Sequence, residues 1–310
     1  MIKQNIIRFG QKIVSLMKKL IHAFWRCVLI SWKFLMKNKR SAIVCLPIFL
    51  LLYYVIGSIV CEKIDKNTDF EVKQIDRGYM YVQAAADLIK REIDDHLFAP
   101  NLPFIFPVAV LDNMPSFQKG IIKQLQSTVH VSAAYTNDEF MKKADKLLSY
   151  PTNVWLFSKT KDFKIEPSSV AQYRKARRNL LKFNDEADYN KFLSDKVLAG
   201  IRQDLTDVQN LLENQIRSHK SKDADDVFYY AQGRLYAAYI VLKAVAKQSG
   251  ADLLLILEPI KEALVLNPPY VKNGDLAAVS SPNHLLVLAY LSLKARSGVD
   301  EILKEKTNVD

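Results

Sequence analysis

Not one cysteine lies between residues 62 and 310; all three, Cys27, Cys45 and Cys61, fall at or before the end of a long apolar run. That excludes an internal disulfide and a cysteine-based zinc site from the larger part of the chain. It is compatible with an oxidising compartment. Residues 1–40 contain no Asp or Glu against ten Lys or Arg, and residues 41–61 contain no charge of either sign. There is no nucleophile elbow, phosphate loop or dinucleotide fingerprint. The histidines His96, His130, His219 and His284 lack the short spacing of metal ligands. Neither a metal nor a cofactor is therefore expected. No repeat, low-complexity tract or sustained strand alternation is present.

Charge is informative only once it is located. The chain of 310 residues carries a formal net charge of +11. Outside residues 1–40 it holds 34 basic and 33 acidic residues. The basicity belongs to the leader, whereas nucleic-acid binding calls for a basic patch on the folded domain. No nucleic-acid partner is expected.

The charge-free run "SAIVCLPIFLLLYYVIGSIVC", 41–61, has the length of a transmembrane helix, since about 20 apolar residues cross a core of roughly 30 Å. A helix satisfies its own backbone hydrogen bonds in lipid. The ten cations upstream place the N-terminus in the cytoplasm by the positive-inside rule and the rest of the chain outside. This predicts a single-pass protein of a bacterial inner membrane with a periplasmic domain. The leader is too long and basic for a cleaved signal peptide, and no small-x-small site follows. Val60 before Cys61 does not fit a lipobox. Lys12, Lys19, Arg26, Lys33 and Arg40 are seven residues apart and share one helical face. The opposite side carries Ile13, Leu20, Phe24, Val28 and Leu35. A basic amphipathic helix over 1–40 would lie on anionic lipid headgroups. The alternative is a positive tail that only sets topology.

Residues 62–69 read as a polar connector, and 70–310 as a mostly helical periplasmic domain. Apolar spacing predicts a helix from Phe70 to about Leu97, and four prolines then break it. In "LDNMPSFQKG", 111–120, Asp112 and Asn113 are turn and N-cap types, and Pro115 suits a first helical turn. A helix from about Pro115 to His130 follows. Thr136 and Glu139 have capping-box spacing, and the helix they open stops before Pro151. "NVWLF", 153–157, is a short strand or a buried extended segment. Ser168 or Ser169 caps a helix to about Phe183. Further helices are expected over 187–218, 225–248 and 252–266, with a last one from Pro282. The polar break at 219–226 is the best internal boundary, so one domain and two halves both stay open.

Four pieces in this order, "LDNMPSFQKG", "ADDVFYYAQGRLYAAY" (224–239), "NPPYVKNG" (267–274) and "HLLVLAYLSLKAR" (284–296), resemble the bacterial family called domain of unknown function 2333. The resemblance covers most of 70–305. It implies a membrane-anchored envelope protein and brings no reaction, ligand or catalytic residue. The long basic leader departs from the family pattern.

Each candidate for chemistry has a structural counterpart. Asp112, Asp225 and Asp226 could supply acid and base, with His284 as a general base. Asp225 and Asp226 are equally a helix cap and a dipole-favoured acid. Tyr229, Tyr230, Tyr236 and Tyr239 could stack on sugar rings or fill a helical core. Asn113 and Asn273 complete the candidate binding residues with Tyr229 and Tyr236, although Asn113 reads first as a cap and Asn273-Gly274 as a turn. "YRKARR", 173–178, is a basic cluster that could hold an acidic partner or face solvent. The leading expectation is a non-enzymatic envelope scaffold that binds another envelope protein or itself. A cell-wall enzyme using these acids is the alternative. A third possibility is a membrane-surface regulator acting through the leader.

Overall fold

The computed structural model describes residues 39–61, 64–103, 105–107, 113–159, 165–218, 223–266 and 282–309, with backbone alone for 39–45, 58–61, 157–159, 165–166, 282–283 and 306–309. The leader residues Lys12, Lys19, Arg26 and Lys33 lie outside this set, as do Asp112, Asn273 and all of "NPPYVKNG". The chain divides into two units, one ending at Gly57 and the other beginning at Ser58.

The helix α1 runs over Lys39–Cys61, 23 residues, with Pro47 inside it. That is about 34 Å of helix axis. Its described side chains belong to 46–57, about 18 Å of axis, and Leu46, Ile48, Phe49, Leu51, Val55 and Ile56 among them are exposed. Among the described residues no helix is long and apolar enough to cross a membrane.

The second unit is mainly α. Its helices are α2 (Met80–Lys90), α3 (Asn113–Thr136), α4 (Glu139–Leu148), α5 (Ser169–Glu186), α6 (Lys191–Ser218), α7 (Ala224–Ser249), α8 (Leu254–Val265) and α9 (Pro282–Val309). A two-stranded antiparallel hairpin pairs β1 (Phe157–Lys159) with β2 (Ile165–Pro167), Ser158 facing Glu166. One continuous core runs through the unit, from Tyr79 to Ile302. The polar break at 219–226 is therefore not a domain boundary: α6 and α7, on either side of it, pack on each other and on the same helix α3.

The packing is built on α3 and α7, which make the most extensive contact. Helices α2, α4 and α5 pack as a group adjoining this pair, and α6, α8 and α9 form another. The reason α7 can be central is its composition: from Ala231 to Leu242 every residue is buried. Two glycines let α3 and α7 approach. A Cβ on Gly120 would run into the Tyr230 carbonyl oxygen, and a Cβ on Gly233 into that of Phe117. Only backbone without side chains fits at such a crossing.

The helix ends follow local chemistry. Asp138, not Thr136, caps α4, accepting from the Met141 amide at 2.8 Å. Thr136 belongs to the last turn of α3, where its hydroxyl donates to the Ser132 carbonyl at 2.8 Å. The capping box is thereby corrected; Asn137 turns the chain with φ 55°, a left-handed conformation that Asn tolerates. Ser168 caps α5, and Gly250, φ 69°, ends α7 in the left-handed conformation expected after a helix.

The largest departure from expectation is 70–79, which is not helical. Gly78 takes φ 83° immediately before α2. The Asn184 side-chain oxygen accepts from the Tyr79 amide at 2.7 Å and would meet any Cβ on Gly78. This tertiary contact overrides the helical spacing of Ile75 and Tyr79, leaving Ile75 half-buried on an extended strap. A second departure is α3, which begins at Asn113 and continues to Thr136.

Gly120→Ala and Gly233→Ala are each expected to destabilise the unit by at least about 1–3 kcal/mol, the range for overpacking, because backbone cannot step aside. Gly200→Ala meets only the Val131 side chain, so its effect should be clearly smaller. Urea unfolding of the three variants, followed by circular dichroism, checks the ranking. Equal effects would remove the crossing as the special constraint.

Candidate functional site

The densest chemistry lies where α2 ends. Arg91–Asp95 forms a π-helical turn, closed by the His96 amide donating to the Arg91 carbonyl at 2.8 Å. Arg91, Glu92 and Ile93 of this turn are all buried. Such turns recur at functional sites.

Arg91 is held on every side. Its Nη2 meets Glu92 Oε1 at 2.6 Å, and the two side chains are 7% and 3% exposed. Its Nη1 donates to the Tyr236 hydroxyl at 2.5 Å. The guanidinium lies 4.7 Å over the Tyr236 ring and 5.2 Å over that of Phe70. Gln118 on α3 donates to the other Glu92 oxygen at 3.0 Å. Tyr236 donates to the Asn67 carbonyl at 2.8 Å. His96 stands at the open edge, 3.8 Å from both Asp65 and Glu92.

The electrostatics follow from burial and pairing. Burial works against the Arg91 charge, but Glu92 and the Tyr236 and Asp65 oxygens outweigh it and raise its pKa. Burial opposes the Glu92 charge, but His96 beside it, the Arg91 charge and the hydrogen bonds from Arg91 and Gln118 win and lower its pKa. Burial drives the Tyr236 hydroxyl up to about 12 despite Arg91, so it remains a neutral donor. Arg91 and Glu92 are thus a buried ion pair clamping the strap that begins at Ile64. The expected connector 62–69 is in large part built into the domain. Lys66 donates to the Leu266 carbonyl at 3.2 Å and to Gln232 at 3.4 Å. Gln232 itself donates to the Ala263 and Leu266 carbonyls, both at 2.8 Å, satisfying acceptors that the end of α8 leaves open.

A second buried pair lies on α7. Arg234 meets Asp204 of α6 at 2.8 Å, each side chain 6% exposed. Gln124 of α3 donates to the other Asp204 oxygen at 2.6 Å. Burial raises the Asp204 pKa and outweighs Arg234 and the hydrogen bonds that lower it.

Beside the Arg91 cluster opens a cleft of about 800 Å³. The strap forms one wall, with Phe70 shared between cleft and cluster; α2 and α7 form the others. Its lining includes Lys73, Lys90, Lys243 and Lys247, Asp69, Glu71, Asp87 and Asp95, and the apolar Val72, Met80, Ile240 and Ala244. Lys90 pairs with Asp95 at 2.7 Å, and Lys243 donates to the Thr68 carbonyl at 2.8 Å. Lys73 and Lys247 form no ion pair among the described residues.

Of the described residues singled out in the sequence, Tyr236 belongs to the Arg91 cluster and none lines the cleft. Asp226 accepts from Ser116 across the α3–α7 contact. Asp225 is half-buried in the first turn of α7, Asn113 is half-buried as the first residue of α3, and His284 is half-buried near the start of α9. Tyr229 is 8% exposed and Tyr236 0%. Their faces are occupied by core neighbours, Phe228 against Tyr229 and Phe117 against Tyr236, which corrects the sugar-stacking reading. Among the described residues no group of three or more His, Cys, Asp or Glu is placed to hold a metal ion. The cleft and both buried pairs were missed. A signal was present for the second pair: Asp204 falls between Ile201 and Val208 on the buried stripe of its helix, and Arg234 interrupts an apolar run.

Comparison of the chain with protein families, with curated proteins and with solved structures finds no match.

Two outcomes follow from the buried charges. Arg234→Met leaves Asp204 buried without its cation and should cost about 3–5 kcal/mol, while Arg234→Met with Asp204→Leu should recover most of that loss. Urea unfolding of single and double variants decides it; a double variant as weak as the single one would show that the pair itself stabilises. For Lys66, burial lowers the pKa from 10.5 to about 8. Between those values the unfolded chain holds a proton that the folded chain has released, so stability should rise with pH across that window. Lys66→Met should flatten this rise, and an unchanged slope in the variant would refute the assignment.

Proposed function

We propose that this chain is a single-pass protein of the bacterial inner membrane whose helical outer domain is a scaffold that binds an extended segment of another envelope protein. The observation that carries the anchor is the run 41–61, free of charge, coinciding with α1. The described part of that helix exposes apolar side chains on all sides, Phe49 at 65% and Leu51 at 64% among them. A helix apolar all round is not stable against water and calls for a lipid or protein surround. The ten cations before it and the absence of acids there set the orientation. Amphipathic placement of the leader on anionic lipid headgroups fits the same arrangement. The resemblance to domain of unknown function 2333 points to the same compartment.

The binding role rests on the cleft. Its walls carry cations and anions in equal number together with apolar side chains. That lining suits a polypeptide segment with alternating charged and apolar side chains better than an apolar small molecule, whose sites are lined mainly by hydrophobic groups. Of the acids weighed for wall hydrolysis, the described ones, Asp225 and Asp226, do not line this cleft, and Asp226 is engaged by Ser116.

Protease added to spheroplasts should digest 62–310 and leave a protected N-terminal fragment, and alkaline extraction should leave the full chain in the membrane fraction. Release of the intact chain by alkali would sink the anchor. Cross-linking in cells, followed by purification in mild detergent, should recover a stoichiometric protein partner. Lys73→Glu with Lys247→Glu should reduce that recovery about tenfold, the effect of roughly 1.4 kcal/mol. Undiminished recovery from the double variant would remove the cleft as the binding surface.

A further inference from the structure

The balance of charge outside the leader hides a local excess. The two helices α4 and α5 carry eight Lys or Arg and four Asp or Glu. They pack on each other along Met141, Ala144 and Leu148 of α4 and Tyr173, Ala176, Leu180 and Phe183 of α5, all buried. What remains outward is cationic: Lys142, Lys143 and Lys146 on α4, and Lys175, Arg178 and Lys182 on α5, all exposed. The spacing of three and four residues from Lys175 to Arg178 to Lys182 keeps that stripe on one side of its helix. The two stripes meet over one ring: Lys143 lies 5.9 Å and Lys182 5.5 Å from the Phe140 centroid.

The acids of these helices do not neutralise the face. Glu139 takes Lys143 at 2.6 Å. Asp145 is engaged by His130 at 2.9 Å and by Gln126 at 3.2 Å, and Asp185 and Glu186, one turn beyond Lys182 in the last turn of α5, are placed beside that cation alone. Lys146, Lys175, Arg178 and Lys182 form no ion pair among the described residues. The neighbouring Arg174 is different, being paired with Asp94 at 2.6 Å. Like charges gathered on the outward faces of a helix pair suit a surface of many anions rather than one small ligand.

We infer that the α4–α5 face docks on the anionic phosphate headgroups of the bilayer in which the chain is anchored. The inference rests on the anchor reading above, and chain length supports it. Only residues 62 and 63 separate the end of α1 at Cys61 from Ile64, which already packs against the domain core. A domain on so short a tether meets its own bilayer at high effective concentration. Each cation near an anionic surface adds to the attraction, and salt weakens it.

The test uses the full chain in lipid nanodiscs of phosphatidylcholine alone or with added phosphatidylglycerol, read by amine-labelling mass spectrometry. Co-elution with the disc is checked first; failure there overturns the anchor reading and this one with it. Labelling of Lys143 and Lys146 should fall about fivefold in anionic discs, the bias one basic residue gains at such a surface. It should recover in high salt, and in the variant carrying Lys175→Glu, Arg178→Glu and Lys182→Glu with unchanged helical circular dichroism. Equal labelling in neutral and anionic discs of a chain that co-elutes overturns the docking alone. Protection by inorganic phosphate in neutral discs, to the same degree, would assign the face to a soluble anion and overturn the bilayer assignment.

Discussion

The crossing of α3 and α7 at Gly120 and Gly233 is the constraint on which the domain depends. Each glycine removes the side chain that would strike the opposite backbone, and the two helices come close enough to share one core. The consequence reaches beyond packing. Residues next to the crossing are carried into the interior with their polar groups: Gln118 and Gln124 on α3, Gln232, Arg234 and Tyr236 on α7. Buried polar groups must find partners or cost several kcal/mol. The partners come from the flanking elements, Glu92 on one side and Asp204 on the other. The close approach of two helices thereby determines where the π turn and α6 are tied.

The two buried pairs have different physical settings. Arg91 lies over the rings of Phe70 and Tyr236, pairs with the Glu92 carboxylate and donates to the Tyr236 hydroxyl; the burial that opposes its charge is overcome. At Asp204 burial prevails over the attraction of Arg234. A desolvated ion pair contributes little net stability by itself, because removing both charges from water costs about what their attraction returns. What such a pair does supply is a single acceptable register, since any slip strands a charge. In a helical core rich in Ala, Leu and Ile, which tolerates sliding, that selectivity is a reason for charge to be inside.

The helices were largely legible in the sequence because apolar spacing over ten or more residues has one simple solution. Helices α5 to α9 fall close to where that spacing placed them. What escaped was set by contacts distant in sequence. Nothing near Gly78 announces that Asn184 will take the Tyr79 amide, so a strap was read as the first turns of a helix. The capping box at Thr136 was a match of spacing; Asp138 had the better position and a stronger acceptor. The glycines of "FQKG" and "AQGR" were in two of the pieces taken as characteristic, yet a glycine inside a helix signals a close approach without saying to what. The tyrosines showed the reverse limit. Their stripe was visible, but only the neighbours on both faces decide between a core and a platform. The cleft is assembled from 69–74, α2 and α7, and no linear motif joins those parts.

A segment that leads into a domain is ordinarily polar because water solvates it. Here Asp65 and Lys66 are polar because the interior uses them: Asp65 faces Arg91 and His96, and Lys66 reaches the end of α8; the backbone carbonyl of Asn67 receives Tyr236. Ile64 and Phe70, at either end, pack against the core. The bonds that hold the strap are therefore the same bonds that complete the Arg91 cluster, and the strap is also a wall of the cleft. A perturbation at any one of the three is felt at the others through shared groups, Phe70 between cluster and cleft and Tyr236 between cluster and strap. Coupling of this kind needs no long pathway. It follows from a few polar atoms with no water to fall back on and only one set of partners within reach.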